Sequence, residues 1–152
     1  MQPARHTVNF TDSSKEAFKA EIICSSGQGK TILLIDDEEM VINIIEMMLK
    51  EIGYKVLKAH NGHEGLQLFK TNKSKIDLII SDLEMPNMNG NEVLDKLREI
   101  DPEIKVMLSS GALTDMHEQE VIDSGFNGFL KKPYSITTLC EKMSEAFCPK
   151  FQ

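Results

Sequence analysis

The sequence predicts an α/β domain, a five-stranded parallel sheet in the order 2-1-3-4-5 with helices on both faces. Three observations carry that expectation. Ile32–Ile35, Leu78–Ile80 and Val106–Leu108 are short, continuous apolar runs, as central parallel strands covered on both faces require. Segments of helical spacing alternate with them, giving five β-α units whose right-handed crossovers place helices on both faces. The first and third strands end in Asp36-Asp37 and Asp82, whereas the second ends at His60-Asn61 with no acid. The order 2-1-3-4-5 sets strands one and three side by side at the switch point, where these acids meet.

The elements follow in chain order. Residues 1–29 are polar, lack a long apolar period and close with SSGQGK, which has the composition of an arm or linker. Within them, Ser13 and Glu16 have capping-box spacing ahead of Phe18 and Ile22, which predicts a short helix over 13–23; a partly ordered tail fits as well. GQGKT echoes the end of a phosphate-binding loop, but Cys24 stands where its first glycine belongs and the segment precedes a strand. A nucleotide site is excluded there. The domain begins near Lys30 and runs to 148, leaving a tail over 149–152. After the first strand, Val41, Ile44, Ile45, Met48, Leu49 and Ile52 predict one apolar helix face. Tyr54–Ala59, interrupted by Lys55 and Lys58, suits an edge strand. Shorter helices fit 62–72, 90–99 and 114–124, and Ile136, Leu139, Cys140, Met143 and Phe147 mark the last one. Gly53, Gly62, Gly90, Gly125 and Pro102 punctuate the joins.

Composition restricts the function. With 152 residues and 41% hydrophobic content, the chain supports one well-buried domain. A net charge of −7 argues against direct nucleic-acid binding, which needs a basic face to displace counterions from phosphates. No apolar stretch is long enough to span a bilayer and the N-terminus lacks a signal-peptide core, so a cytoplasmic protein is expected, with no membrane insertion. Cys24, Cys140 and Cys148 show no metal-binding or paired spacing and are expected to be reduced thiols. The methionines, including Met85 and Met88, are expected to pack; nothing pairs them with a soft-metal site.

Asp36, Asp37, Asp82, Ser110 and Lys132 each lie at or just beyond the C-terminal end of an apolar run, bordering the crevice where open parallel sheets bind ligands. Each alone has a plainer role, the acids as caps or turn residues, Ser110 as a loop hydroxyl and Lys132 as a surface lysine. Together they suit a hard divalent cation and a phosphoryl group, with an aspartate as acceptor. Crowded carboxylates raise one another's proton affinity and need a cation to stay ionised. Magnesium suits them because it prefers oxygen ligands and retains several waters.

In these positions the chain resembles the receiver domain of two-component response regulators, a flavodoxin-like fold, over about residues 30–148. The acidic pair matches Asp36-Asp37, the phosphoacceptor matches Asp82, and the loop that follows matches Met85, Pro86 and Gly90. The hydroxyl matches Ser110, followed by Gly111, and the lysine-proline pair matches Lys132-Pro133. Choosing Ser110 over Ser109 and Lys132 over Lys131 rests on this frame, because strand neighbours point to opposite faces.

The resemblance implies a set of roles. Asp37 and Asp82 hold Mg2+ directly, with Mn2+ an accepted substitute; Asp36 is a second or water-mediated acid, and the Glu84 backbone carbonyl is a further ligand. Asp82 attacks phosphorus in line while the metal and Lys132 neutralise the transferring group. Ser110 then bonds a phosphoryl oxygen, and Phe129 turns inward to report the state through the fourth helix, fifth strand and fifth helix; Phe129 fits simple core packing equally well. The implied partners are a sensor histidine kinase or histidine phosphotransfer protein, an unidentified effector, and a second copy through the same face. No histidine sits in a phosphorylatable helix motif, so kinase activity is not assigned. Two other readings stay open: a receiver segment of a hybrid sensor kinase or phosphorelay, and a small magnesium-dependent phosphatase.

Overall fold

The computed structural model describes residues 29–111 and 118–147, so the short helix expected over 13–23, the start of the fourth helix at 114–117 and the tail lie outside the described residues. Five β-α units follow in order: β1 (Thr31–Ile35), α1 (Glu39–Glu51), β2 (Lys55–Ala59), α2 (Gly62–Asn72), β3 (Ile76–Asp82), α3 (Gly90–Ile100), β4 (Lys105–Ser110), α4 (Glu118–Asp123), β5 (Gly128–Lys131) and α5 (Ile136–Phe147). All strand pairs are parallel, in the order β2-β1-β3-β4-β5. The expected sheet and its edge strand β2 are therefore present.

Alternation along the strands divides the core into two layers. Leu33, Ile35, Ile79, Val106, Leu108 and Phe129 face one side, where they pack with Leu66 and Phe69 of α2 and Val93, Leu94 and Leu97 of α3. Ile32, Leu34, Leu78, Ile80, Met107 and Leu130 face the other, against Ile42, Ile45 and Leu49 of α1 and Leu139 and Met143 of α5. Burial on both faces explains the uninterrupted apolar runs.

Local signals set the helix ends. Asn61 accepts a hydrogen bond from the Glu64 amide, and Asn89 and Glu92 form a reciprocal capping box at the start of α3. Gly53 and Gly125, at φ 97° and 107°, take the left-handed conformation that ends a helix at little cost.

Two expectations are corrected. On α1 the buried residues are Ile42, Ile45 and Leu49; Val41, Met48 and Ile52 are half-buried, and Ile44 is exposed together with Met40 and Met47. The helix is apolar around more than one face, so periodicity alone admits two phases, and only the sheet selects one. Cys140 is disulfide-bonded, contrary to the expected thiol. Bridges closed by tertiary proximity leave no spacing signature in the sequence.

Candidate functional site

The C-terminal rim of the sheet collects the predicted charges because β1 and β3 are neighbours in register, with Ile35 opposite Ser81. The chain therefore delivers Asp36 and Asp82 to adjacent strand ends. Both are buried, at 1% and 6% exposure, while Asp37 is exposed. One carboxylate oxygen from each of Asp36, Asp37 and Asp82 lies within 4.8 Å of the others. Asp36 Oδ1 accepts the Glu38 amide at 2.9 Å, which fixes the turn into α1. Neither aspartate is the N-cap of that helix; Glu38 occupies the position and makes no side-chain cap.

Lys132 reaches this cluster from the loop after β5. Its Nζ donates to Asp36 Oδ2 at 2.7 Å and to Asp82 Oδ1 at 3.3 Å, whereas Lys131 is exposed. The Lys132 amide donates to the Ser110 carbonyl at 2.9 Å, and the Leu83 amide donates to the Ser109 carbonyl at 3.3 Å. These bonds tie the ends of β3, β4 and β5 into one rim. The Lys132-Pro133 peptide bond is cis.

Burial pushes the Asp82 carboxyl up to about 6, with Lys132 opposing the shift and the Asp36 charge adding to it. Burial works to lower the Lys132 pKa, but the two carboxylates outweigh it and hold the ammonium above its ordinary value. The site thus has a deficit of positive charge that one lysine does not remove. Its donors are all carboxylate oxygens, with no sulfur or imidazole in the cluster, which fits a hard cation such as Mg2+.

The remaining predicted residues have distinct positions. Ser110 is buried at the end of β4, and alternation puts it on the same sheet face as Leu108. Phe129 is buried opposite Leu108 in register, so Ser110 and Phe129 share a layer. Glu84 has an exposed side chain, in the loop where Asn87 adopts φ 69°. Ser109 lies on the opposite face from Ser110.

Sequence reasoning missed two supports of the rim. A Cβ on Gly90 would lie 2.6 Å from the Asp82 carbonyl oxygen and 3.0 Å from Leu83 Cα, so α3 approaches the end of β3 only because this residue has no side chain. The Gly90 amide also donates to the Leu83 carbonyl at 2.9 Å. The sequence marks Gly90 as a join and as the last matched position of the loop after Asp82, but not the close backbone approach that requires it. Tyr134, in the same loop as Lys132, is the second support: it packs against the layer that holds Ile42 and Leu139, and its buried Oη, like Ser109 Oγ, has no hydrogen-bond partner of good geometry among the described residues. Burial pushes the Tyr134 phenol up to about 12, against a smaller opposing effect of the nearby Ser109 hydroxyl. No spacing rule identifies such a residue, because its role arises where a loop folds over α1.

Comparison with known proteins agrees with this arrangement. The response regulator receiver domain family matches residues 32–144. The autoinducer 1 sensor kinase/phosphatase LuxN of Vibrio campbellii is 32% identical over 114 residues, covering 75% of this chain but only 13% of LuxN. The chemotaxis protein CheY of Thermotoga maritima is 28% identical over 118 residues, covering 77% of this chain and 97% of CheY. Among solved structures, the response regulator protein TrrA of Thermotoga maritima in complex with Mg(2+)-BeF superposes with a TM-score of 0.68 at 28% identity, over 77% of this chain and 98% of TrrA. Among the described residues, no helix is long and apolar enough to cross a membrane. The match across most of the chain, on a 2-1-3-4-5 sheet with an acidic rim, shows that this chain belongs to the response regulator receiver domain family of two-component signalling.

Proposed function

We propose that the chain is a phosphoacceptor module in which Asp82 takes a phosphoryl group from a sensor histidine kinase or histidine phosphotransfer protein. One observation carries the reading: Asp82 is buried beside Asp36 within 3.3 Å of the Lys132 ammonium, so a nucleophilic carboxylate and a neutralising cation already meet. Asp37 and Asp82 would hold Mg2+ directly, with Asp36 second and the Glu84 carbonyl completing the protein ligands; Mn2+ would substitute. When bound, the ion offsets negative charge on the transferring group. Lys132 neutralises the same charge and orients Asp82, whose oxygen forms the bond to phosphorus as the donor's leaving group departs. The Mg(2+)-BeF complex of TrrA supports this ligand chemistry.

Ser110 is the residue that would bond the new phosphoryl oxygens, and Phe129 on the same sheet face would pass the change to the surface of α4, β5 and α5, where an effector or a second copy binds. Phosphorylation would bias two existing conformations. On the donor side, Met40, Ile44 and Met47 are exposed on α1, beside a 160 Å3 pocket lined by Val41, Met48, Pro133 and Tyr134. This apolar surface flanks Lys132 and suits a partner helix carrying a phosphohistidine. We place the functional domain over 30–148, with 1–29 as an arm, in the cytoplasm. The match to a small part of LuxN favours a second arrangement, a receiver segment of a hybrid sensor kinase.

The test is incubation with acetyl phosphate and Mg2+ followed by intact-mass measurement, with EDTA and Asp82→Asn controls. One added phosphoryl group in the wild type with metal, and none in either control, is the expected result. Equal phosphorylation of Asp82→Asn would overturn the assignment.

A further inference from the structure

We propose that Ser109 and Tyr134 are positioning residues of the acidic rim, a pair of buried hydroxyls that takes hold of Asp36 when Lys132 turns from it to a phosphoryl group on Asp82. This role presupposes that Asp82 is the phosphoacceptor. Among the described residues, Ser109 Oγ and Tyr134 Oη are the two buried side-chain polar atoms without a hydrogen-bond partner of good geometry. Buried hydroxyls are ordinarily bonded, so two orphans beside a reactive rim call for a role.

Strand parity places Ser109 on the side of the rim that holds the charges. Leu34, Ile80, Met107 and Leu130 face the layer of α1 and α5. Asp36, Asp82, Ser109 and Lys132 each follow one of them by two residues, on four adjacent strands or their extensions. Alternation turns all four toward that layer. Asp82 and Ser109 are also paired in register. In the sheet, β4 lies between β5 and β3, so the Lys132 side chain crosses the end of β4, where Ser109 is buried, to reach both carboxylates.

Tyr134 completes the pair from the loop. It follows Lys132 by two residues, packs in the same layer, and lines a pocket with Val41 and Ile45 in the first turns of α1. That helix starts immediately after the turn that Asp36 Oδ1 fixes through the Glu38 amide. Burial pushes the Tyr134 phenol up to about 12, and the Ser109 hydroxyl, Asp36 and Asp82 are the groups that act on it beside burial. The phenol therefore stays a proton donor at physiological pH.

Lys132 is shared between two acids. Its Nζ holds Asp36 Oδ2 at 2.7 Å and Asp82 Oδ1 at 3.3 Å. When a phosphoryl group on Asp82 draws the ammonium, Asp36 Oδ2 loses the cation that balances it, and a buried charge without its partner is strongly destabilised. Tyr134 Oη then donates to Asp36 Oδ2, and Ser109 Oγ donates to Tyr134 Oη. The two orphans and the abandoned oxygen are satisfied together. Because Tyr134 and Lys132 share a loop, the movement that strips Asp36 displaces Tyr134 as well. Unpaired hydroxyls raise the energy of the resting arrangement, and pairing them lowers that of the phosphorylated one, which biases the equilibrium toward the latter.

The experiment uses the full chain as Ser109→Ala, Tyr134→Phe and the double variant, each change removing only a hydroxyl. In unphosphorylated, metal-free protein the variants are expected to unfold at or above the wild-type Tm, with a rise of about 2–4 °C for the double variant, because unbonded buried hydroxyls are lost. With acetyl phosphate and Mg2+, intact mass should show the ratio of phosphorylated to unphosphorylated chain falling about three- to tenfold in each single variant. The double variant should fall no further, since the hydroxyls act in series. Stability and phosphorylation thus move in opposite directions, whereas a merely structural role lowers both. A Tm below the wild type in either single variant, or a phosphorylated ratio within about twofold of wild type in both, would overturn the role. A wild-type chain that takes no phosphoryl group would overturn the phosphoacceptor reading and this role together; normal wild-type phosphorylation beside unchanged variants overturns this role alone.

Discussion

The two rims of the sheet use the same residue type to opposite ends. At the N-terminal rim, the exposed Asp77 accepts the Thr31 amide at 2.8 Å and joins β3 to β1 in contact with solvent. At the C-terminal rim, Asp36 and Asp82 are buried beside each other around one ammonium. Asp77 accepts its backbone donor in contact with solvent, while the other two are held where their charge is poorly solvated, Asp36 even as it accepts the Glu38 amide. The difference shows that strand-end position and burial, more than residue type, make a reactive rim, because desolvation strengthens every charge interaction within it.

The largest effect that separates the rims is expected from Gly90→Val. Its side chain would drive into the Asp82 carbonyl and Leu83 backbone. A loss of about 3 kcal/mol or more in urea unfolding is expected, with loss of phosphorylation.

Asp82→Asn should act in the other direction. The Asp82 carboxyl keeps its proton up to about pH 6 in the fold, against 3.8 in the unfolded chain, so the folded state binds more protons between those values. Stability of the metal-free wild type therefore falls as pH rises through that window. Asn removes the penalty, and metal-free protein at pH 7 should gain about 2–3 kcal/mol while its pH dependence flattens. Unfolding curves at pH 4 and pH 7 measure both effects.

Lys132→Met leaves the two buried acids without their cation. A loss of about 2 kcal/mol is expected without metal, partly restored by added Mg2+. Thermal unfolding with and without the ion checks this. At the opposite rim, Asp77→Ala should cost only about 0.5–1 kcal/mol and be insensitive to Mg2+. A magnesium-dependent loss there would remove the contrast between the rims.

Much of the fold was legible because its signals are local or periodic. Continuous apolar runs marked β1, β3 and β4, and the helix expected over 62–72 coincides with α2. The acids after β1 and β3, with none after β2, agree with the expected order 2-1-3-4-5. The meeting of Asp36 and Asp82 followed from that order, since their strands end side by side on one rim, whereas the choice of Lys132 over Lys131 rested on the family resemblance. The face of α1 was less legible: Met40, Ile44 and Met47 look like core residues in sequence, yet the sheet accepts only the stripe of Ile42, Ile45 and Leu49.

The sequence by itself determined the alternation of strands and helices, the parallel sheet and the set of acids gathered at its rim, because hydrophobic period and strand-end position are properties of neighbouring residues. Only the tertiary structure decided which carboxylates lose solvent, which of Lys131 and Lys132 reaches them, that Gly90 must lack a side chain, and that Cys140 is bridged. Those outcomes depend on distances between residues far apart in the chain, and such distances exist only once the layers have packed.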